Sequence, residues 1–147
     1  MKTMKIMLMA ILAMLTITAC DSDDDEFVEV TELPAAAQTF LSQYFPGLTV
    51  KSVEKEKASG TFYYDVTLAD GTEVEFDQAG AWTDVDCKNK AVPSVIIPQA
   101  ISAYVEANYP GLLIVQIERE SYGYDIELSN DLDIRFDTLF NVTRVGD

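Results

Sequence analysis

The sequence contains no histidine, although histidine is the commonest general base and the commonest transition-metal ligand in proteins. Its absence excludes a Ser-His-Asp arrangement and a histidine-based metal site. The seven glycines occur only singly, which excludes a glycine-rich loop that cradles phosphate. The residue types nominate no catalytic group, so we expect a non-enzymatic protein that uses no cofactor.

Cysteine and positive charge are also scarce. Of the two cysteines, Cys87 has no histidine to activate it and has Asp84 and Asp86 nearby, so we expect a packed, unreactive thiol. Only 10 lysines and arginines stand against 25 acidic residues, a formal net charge of −15. A surface of this charge repels phosphate groups, which argues against nucleic acid as a partner.

The N-terminus has the pattern of a lipoprotein signal peptide. Two lysines precede an apolar run from Ile6 to Ile17, and Ile17-Thr18-Ala19-Cys20 closes that run with small residues before a cysteine. As a helix the run is about 18 Å long, short of a hydrocarbon core of about 30 Å. We expect residues 1–19 to be cleaved and Cys20 to carry the lipid that anchors the protein to a membrane; the alternative is an ordinary signal peptide with a chance cysteine.

The residues that follow Cys20 are acidic and have nothing to bury. Asp21-Ser22-Asp23-Asp24-Asp25-Glu26 opens this stretch, and we expect residues 20–32 to form an acidic tether. The tether either spaces the domain from the membrane or resembles the surface-export signal of lipoproteins in some Gram-negative bacteria. Both interpretations predict an outer-membrane lipoprotein of the cell envelope, which faces the periplasm or the cell surface.

After the tether the sequence repeats itself. The segment from Leu33-Pro34 to Pro46-Gly47-Leu48 matches the segment from Ile97-Pro98 to Pro110-Gly111-Leu112 at an offset of 64. Further on, Tyr64-Asp65-Val66-Thr67-Leu68 matches Tyr124-Asp125-Ile126-Glu127-Leu128 at an offset of 60. A duplicated unit accounts for both matches.

Each half starts with a helical period and continues with a strand period. In the first half, apolar residues recur at helical spacing from Leu33 to Phe45, and Asp70-Gly71 marks a hairpin between alternating strands. The prediction is an α+β fold made of a tandem repeat of two units, each with one helix packed on a four-stranded antiparallel meander sheet. The units are residues 33–87 and 97–147, and residues 88–96 link them.

The strands of the first unit predict a face turned away from the helix. Its expected members alternate with the apolar strand residues: Tyr63, Asp65, Glu73, Glu75, Asp77, Trp82 and Asp84. Tyrosine and tryptophan contribute strongly to binding, so this face is a candidate contact surface for a basic or carbohydrate-like partner. The alternative is a solvated face whose charge keeps the protein soluble.

Acidic side chains can also bind calcium, which prefers oxygen ligands. Asp84-Val85-Asp86 is followed by neither the glycine nor the distal glutamate of an EF-hand, so we predict no metal site.

The second unit departs from the first at Asp137-Thr138-Leu139-Phe140, which has no counterpart of Gly80. We expect a different turn there. Asp137-Thr138-Leu139 also resembles a short O-glycosylation site of some Gram-negative bacteria.

The helix starts, the Tyr-Phe-Pro-Gly and Asn-Tyr-Pro-Gly helix ends, and the Phe-Asp-Gln-Ala-Gly turn resemble the PepSY-like family of exported bacterial proteins. That family is similar in fold to the β-lactamase inhibitor protein, and the resemblance covers about residues 33–146. It implies a partner among exported proteins or peptidases, although fold alone transfers no activity. We predict a lipid-anchored envelope binding module, an inhibitor or adaptor of an exported protein; the alternative is a small-ligand or cation-binding sensor of envelope homeostasis.

Overall fold

The structure is a computed structural model in which residues 25–146 are described. The expected signal peptide and Cys20 lie outside the described residues. The helices and strands, with one 3₁₀ turn at Val30–Glu32, are β1 (Glu26–Phe27), α1 (Ala35–Tyr44), β2 (Val50–Ala58), β3 (Thr61–Leu68), β4 (Glu73–Asp77), β5 (Trp82–Asp86), α2 (Gln99–Asn108), β6 (Ile114–Glu120), β7 (Gly123–Leu128), β8 (Asp133–Asp137) and β9 (Val142–Gly146).

The strands form one antiparallel sheet of nine strands in chain order. The predicted fold class, two units that each carry a four-stranded sheet, is therefore wrong: the described chain has a single sheet and two α-helices. The two predicted sheets are joined where β5 pairs with β6, as in the partners Asp84 and Glu118. An unpaired strand edge leaves N–H and C=O groups without partners, and this pairing satisfies them.

The sheet also extends into the segment that the sequence assigned to the tether. Glu26 and Phe27 of β1 pair with Lys55 and Glu54 of β2, and the N–H of Val28 donates to the carbonyl of Val53 at 3.0 Å. Residues 26–28 thus belong to the folded domain and cover part of the outer edge of β2.

Both helices pack on one face of the sheet. The centre of that face is a row of β-branched side chains that are register partners, each at most 2 % exposed: Val53, Val66, Val74, Val85, Ile117, Ile126 and Ile134. Phe40 of α1 meets Phe76 edge-on with ring centroids 5.5 Å apart, and Tyr104 of α2 meets Phe136 in the same way at 5.5 Å. Each fully buried valine, isoleucine or phenylalanine side chain contributes about 1.5–3 kcal/mol to the stability of the fold.

The turns β4–β5 and β8–β9 have the same hydrogen bonds, contrary to the expectation of a different second turn. In the first turn Asp77 Oδ1 accepts from the N–H groups of Ala79 and Ala81 at 2.8 and 2.9 Å. In the second turn Asp137 Oδ1 accepts from the corresponding N–H groups at 2.9 and 2.9 Å. The missing glycine is replaced by Phe140 in a left-handed conformation, with φ at 63° where Gly80 has 84°.

Candidate functional site

The face of the sheet opposite the helices, called the open face below, carries a line of acidic side chains. It runs beside the buried β-branched row: the acidic residue directly follows the buried one on β2, β4 and β6, and directly precedes it on the antiparallel strands β3, β5 and β7. Six register partners on β2 to β7, called the carboxylate row, form it: Glu54, Asp65, Glu75, Asp84, Glu118 and Asp125. On β8 and β9 the same line continues with Arg135 and Arg144.

Like charges on directly opposite positions repel each other. Side chains at such positions lie about 5 Å apart, where two unit charges repel by about 1 kcal/mol in water. Thr83 Oγ1 donates to Glu75 Oε1 at 2.6 Å, and Gln116 Nε2 donates to both oxygens of Asp84 at 3.0 Å. These bonds orient the two carboxylates.

The first member of the row shows the effect of its surroundings directly. Burial raises the pKa of the Glu54 carboxyl, and the charges of Asp25 and Glu56 raise it further. At this end of the open face, the ionised form of Glu54 is therefore less favourable than that of a glutamate in water.

The other end of the row is closed by a cluster of three side chains. Arg135 donates from Nε and Nη2 to the two oxygens of Asp125 at 2.9 and 2.8 Å, and the Tyr122 hydroxyl donates to Asp125 Oδ2 at 2.7 Å. The Arg135 guanidinium lies 4.4 Å from the centre of the Tyr122 ring. The bond to Asp125 raises the pKa of Arg135, and burial together with Asp125 raises the pKa of Tyr122. The row therefore ends in the ion pair between Asp125 on β7 and Arg135 on β8.

The register places six of the seven residues predicted for the face together. Tyr63 pairs with Asp77, Asp65 with Glu75, and Glu75 with Asp84. Glu73 lies two residues before Glu75, on the same face, and pairs with Asp86. Trp82 does not join them.

Trp82 lies on the helix side of the sheet because of a β-bulge. Glu75 pairs with Asp84 and Phe76 pairs with Trp82, so Thr83 is an extra residue that reverses the side-chain phase. The Trp82 ring centroid is 6.5 Å from that of Phe40, and the Arg119 guanidinium lies 4.2 Å from the ring centre. The prediction that Trp82 shares a face with Asp84 is wrong.

Sequence reasoning missed three of the six members of the row: Glu54 on β2, Glu118 on β6 and Asp125 on β7. Glu118 and Asp125 alternate with Ile117 and Ile126, the same pattern that identified the first half. That signal could have found both residues, had the two sheets been treated as one.

A cavity of about 470 Å³ lies at one end of the open face. Its lining residues are Asp86, Lys88, Asn89, Val115, Gln116, Glu127, Leu128, Ser129 and Asp131. Lys88 Nζ donates to Glu73 at 2.7 Å and to Asp86 at 2.6 Å. Burial disfavours the charged Lys88, but these two bonds outweigh it and raise the Lys88 pKa.

Two further features limit the chemistry available. Cys87 is a buried free thiol, and burial raises its pKa to about 11, so it makes a poor nucleophile at neutral pH. Within residues 25–146, no group of three or more acidic or cysteine side chains is placed to hold a metal ion. In the same part of the chain, neither helix is long and apolar enough to cross a membrane.

Comparisons with known proteins agree on one family. A family model described as β-lactamase-inhibitor-like and PepSY-like matches residues 62–144, which confirms the resemblance seen in the sequence. A structure from Bacteroides vulgatus, described as a periplasmic protein of unknown function, is 43 % identical, with a TM-score of 0.82 over 84 % of this chain and 100 % of its own.

Two further structures are similar. A second one from Bacteroides vulgatus, also described as periplasmic, is 40 % identical, with a TM-score of 0.82 over 86 % of this chain and 100 % of its own. One from Bacteroides thetaiotaomicron, described as a calcium-regulated periplasmic protein, is 39 % identical, with a TM-score of 0.81 over 85 % of this chain and 98 % of its own. No match was found among curated proteins.

Proposed function

Because the chain belongs to the β-lactamase-inhibitor-like, PepSY-like family, we propose that it is a non-enzymatic binding module that acts on an exported protein as an inhibitor or adaptor. The proposal includes anchoring to the outer membrane through a lipid on Cys20, on its periplasmic or outer side. The descriptions of three relatives as periplasmic support a location in the cell envelope.

The observation that carries the proposal is the carboxylate row. It places an acidic side chain on each of six adjacent strands of one face, and a surface of this kind attracts a cationic partner. Such a surface also steers a basic partner during encounter and disfavours acidic ones. The partner that fits is therefore a protein segment rich in lysine and arginine.

The dimensions of the row suit an extended segment. Six strands spaced about 4.8 Å apart give the row a length of about 24 Å, which an extended chain of about seven residues spans. Tyr63, next to the row on β3, adds aromatic contact area at low entropic cost. Binding by charge at an exposed face is screened by salt, so the complex should weaken as ionic strength rises.

Crosslinking in intact cells followed by mass spectrometry tests the proposal. The open-face variant combines Asp65→Asn, Asp84→Asn and Glu118→Gln, which remove three charges and keep oxygen acceptors in place. The control variant removes three charges elsewhere, by Glu26→Gln, Glu29→Gln and Glu106→Gln, all at exposed positions. We expect the native protein and the control to capture the same protein and the open-face variant to lose it. Equal capture by both variants would contradict the proposal.

A second candidate function is a small-ligand or cation-binding sensor. The 470 Å³ cavity has room for a small ligand, and the description of one relative as calcium-regulated makes calcium the cation to test. Titration calorimetry of the protein with calcium chloride provides the test. If the protein is a calcium sensor, we expect heat of binding from the native protein and none from the Glu127→Gln, Asp131→Asn variant. The absence of heat from the native protein at millimolar calcium would contradict calcium binding.

A further inference from the structure

The turn between β8 and β9 carries a leucine that is almost fully exposed, beside Phe140, whose ring stacks on that of Tyr124 with centroids 5.8 Å apart. Leu139 is 79 % exposed and Phe140 is 37 % exposed. In the corresponding β4–β5 turn, Gly80 is buried so closely that a Cβ atom there would lie 2.8 Å from the Cβ of Pro34. The first turn is thus packed against the start of α1, whereas the second presents a leucine to solvent.

The exposed turn contains two side chains that could accept a glycan. Asn141 opens an Asn-Val-Thr triplet, the pattern of N-glycosylation, and Thr138 lies in the Asp-Thr-Leu triplet. Asn141 Nδ2 donates to both oxygens of Asp137, at 3.3 and 3.0 Å, which ties its nitrogen into the turn. Thr138 is exposed, and no residue in the described part of the chain accepts a hydrogen bond from its hydroxyl.

The backbone around Thr138 is held in one shape. Asp137 Oδ1 accepts from the N–H groups of Leu139 and Asn141, and the N–H of Phe140 donates to the Asp137 carbonyl at 2.9 Å. A transferase therefore meets a hydroxyl on an ordered backbone, flanked by an exposed leucine, and an ordered acceptor segment lowers the entropic cost of recognition.

We propose that Thr138 is O-glycosylated in the cell envelope. Thr138 Oγ1 attacks the anomeric carbon of a glycosyl phosphate or diphosphate donor held by a glycosyltransferase. The new C–O bond forms as the bond from the anomeric carbon to the phosphate oxygen breaks; the phosphate leaves with the electron pair, and the hydroxyl proton passes to a base of the transferase. The glycan then covers Leu139, which otherwise remains in contact with water.

The test is mass spectrometry of the full-length protein produced in a Bacteroides host and digested with trypsin. Cleavage after Arg135 and Arg144 releases the peptide 136–144, which contains both candidate acceptors. We expect its mass to exceed that of the polypeptide, Thr138→Ala to remove the excess, and Thr138→Ser to keep it. An unmodified peptide from the native protein, or an excess that survives Thr138→Ala, overturns the proposal.

Two further variants sharpen the result. Thr143→Ala destroys the Asn-Val-Thr triplet and leaves Thr138 in place, so the excess mass should persist; its loss would assign the glycan to Asn141 or Thr143 and overturn the proposal. Gln78→Thr creates Asp-Thr-Ala in the first turn, which has the same hydrogen bonds and an exposed residue 78. We expect the Gln78→Thr variant to gain a second glycan. An unchanged mass would contradict recognition of this turn by the transferase.

Discussion

Replacing Gly80 with alanine should destabilise the protein far more than the same change at Gly71. Gly80 has φ at +84°, where a Cβ atom costs about 1–2 kcal/mol. That Cβ would also lie 2.8 Å from the Cβ of Pro34 and 2.9 Å from the backbone nitrogen of Ala37, well inside the usual contact distance of about 3.5–4.0 Å. Relieving such an overlap costs a further ~1–3 kcal/mol, so we expect Gly80→Ala to lower the free energy of unfolding by about 2–5 kcal/mol.

Gly71 is the matched control, because its φ is +89° and nothing lies within 4 Å of an added Cβ. Gly71→Ala should therefore cost only the backbone term of about 1–2 kcal/mol. Urea unfolding of residues 21–147, followed by the fluorescence of Trp82, the only tryptophan, measures both variants. Equal losses of stability would refute the packing of the β4–β5 turn against α1.

Three further predictions concern titratable groups. Burial raises the pKa of Cys87 to about 11, so DTNB at pH 8 should react with it only as the protein unfolds; rapid reaction in native buffer would contradict this. The bond from Lys90 lowers the pKa of Asp70 from 3.8 to about 2. The ionised Asp70 therefore stabilises the folded protein by about 1 kcal/mol, after discounting for solvent screening. This stabilisation is present above pH 4 and is lost as the pH falls towards 2. Asp70→Asn should flatten the stability curve in that window, as acid unfolding monitored by circular dichroism will show. Burial and Asp125 raise the pKa of Tyr122, so Asp125→Asn should lower it in an ultraviolet absorbance titration, and an unchanged titration would speak against the contact.

The alternation of apolar and polar residues predicted most of the strands and the position of six of the seven candidate residues on the face. The alternation failed for Trp82 because a single inserted residue, Thr83, turns the preceding side chain of β5 to the other face of the sheet. Nothing in the local sequence marks the insertion, since threonine suits a regular strand as well as a bulge.

The local sequence pattern also could not predict how many strands pair in the sheet. Whether β5 ends one sheet or pairs with β6 depends on where residues 87–113, which include α2, return the chain. Likewise, Glu26 and Phe27 lie beside a run of acidic residues that favours an extended tether, and only their pairing with β2 draws them into the fold. Both pairings depend on tertiary structure. For this reason the complete carboxylate row could be identified only from the strand register.

The most direct test of the binding proposal is the dissociation constant of the crosslinked partner, produced in pure form, measured by calorimetry at low and at high salt. We predict that the open-face variant binds about 10- to 100-fold more weakly at low salt, since three lost charge pairs are worth about 0.5–1 kcal/mol each. The control variant should bind like the native protein, and high salt should narrow the gap between the variants. Equal dissociation constants for the two variants, unaffected by salt, would contradict the assignment of the open face as the binding surface.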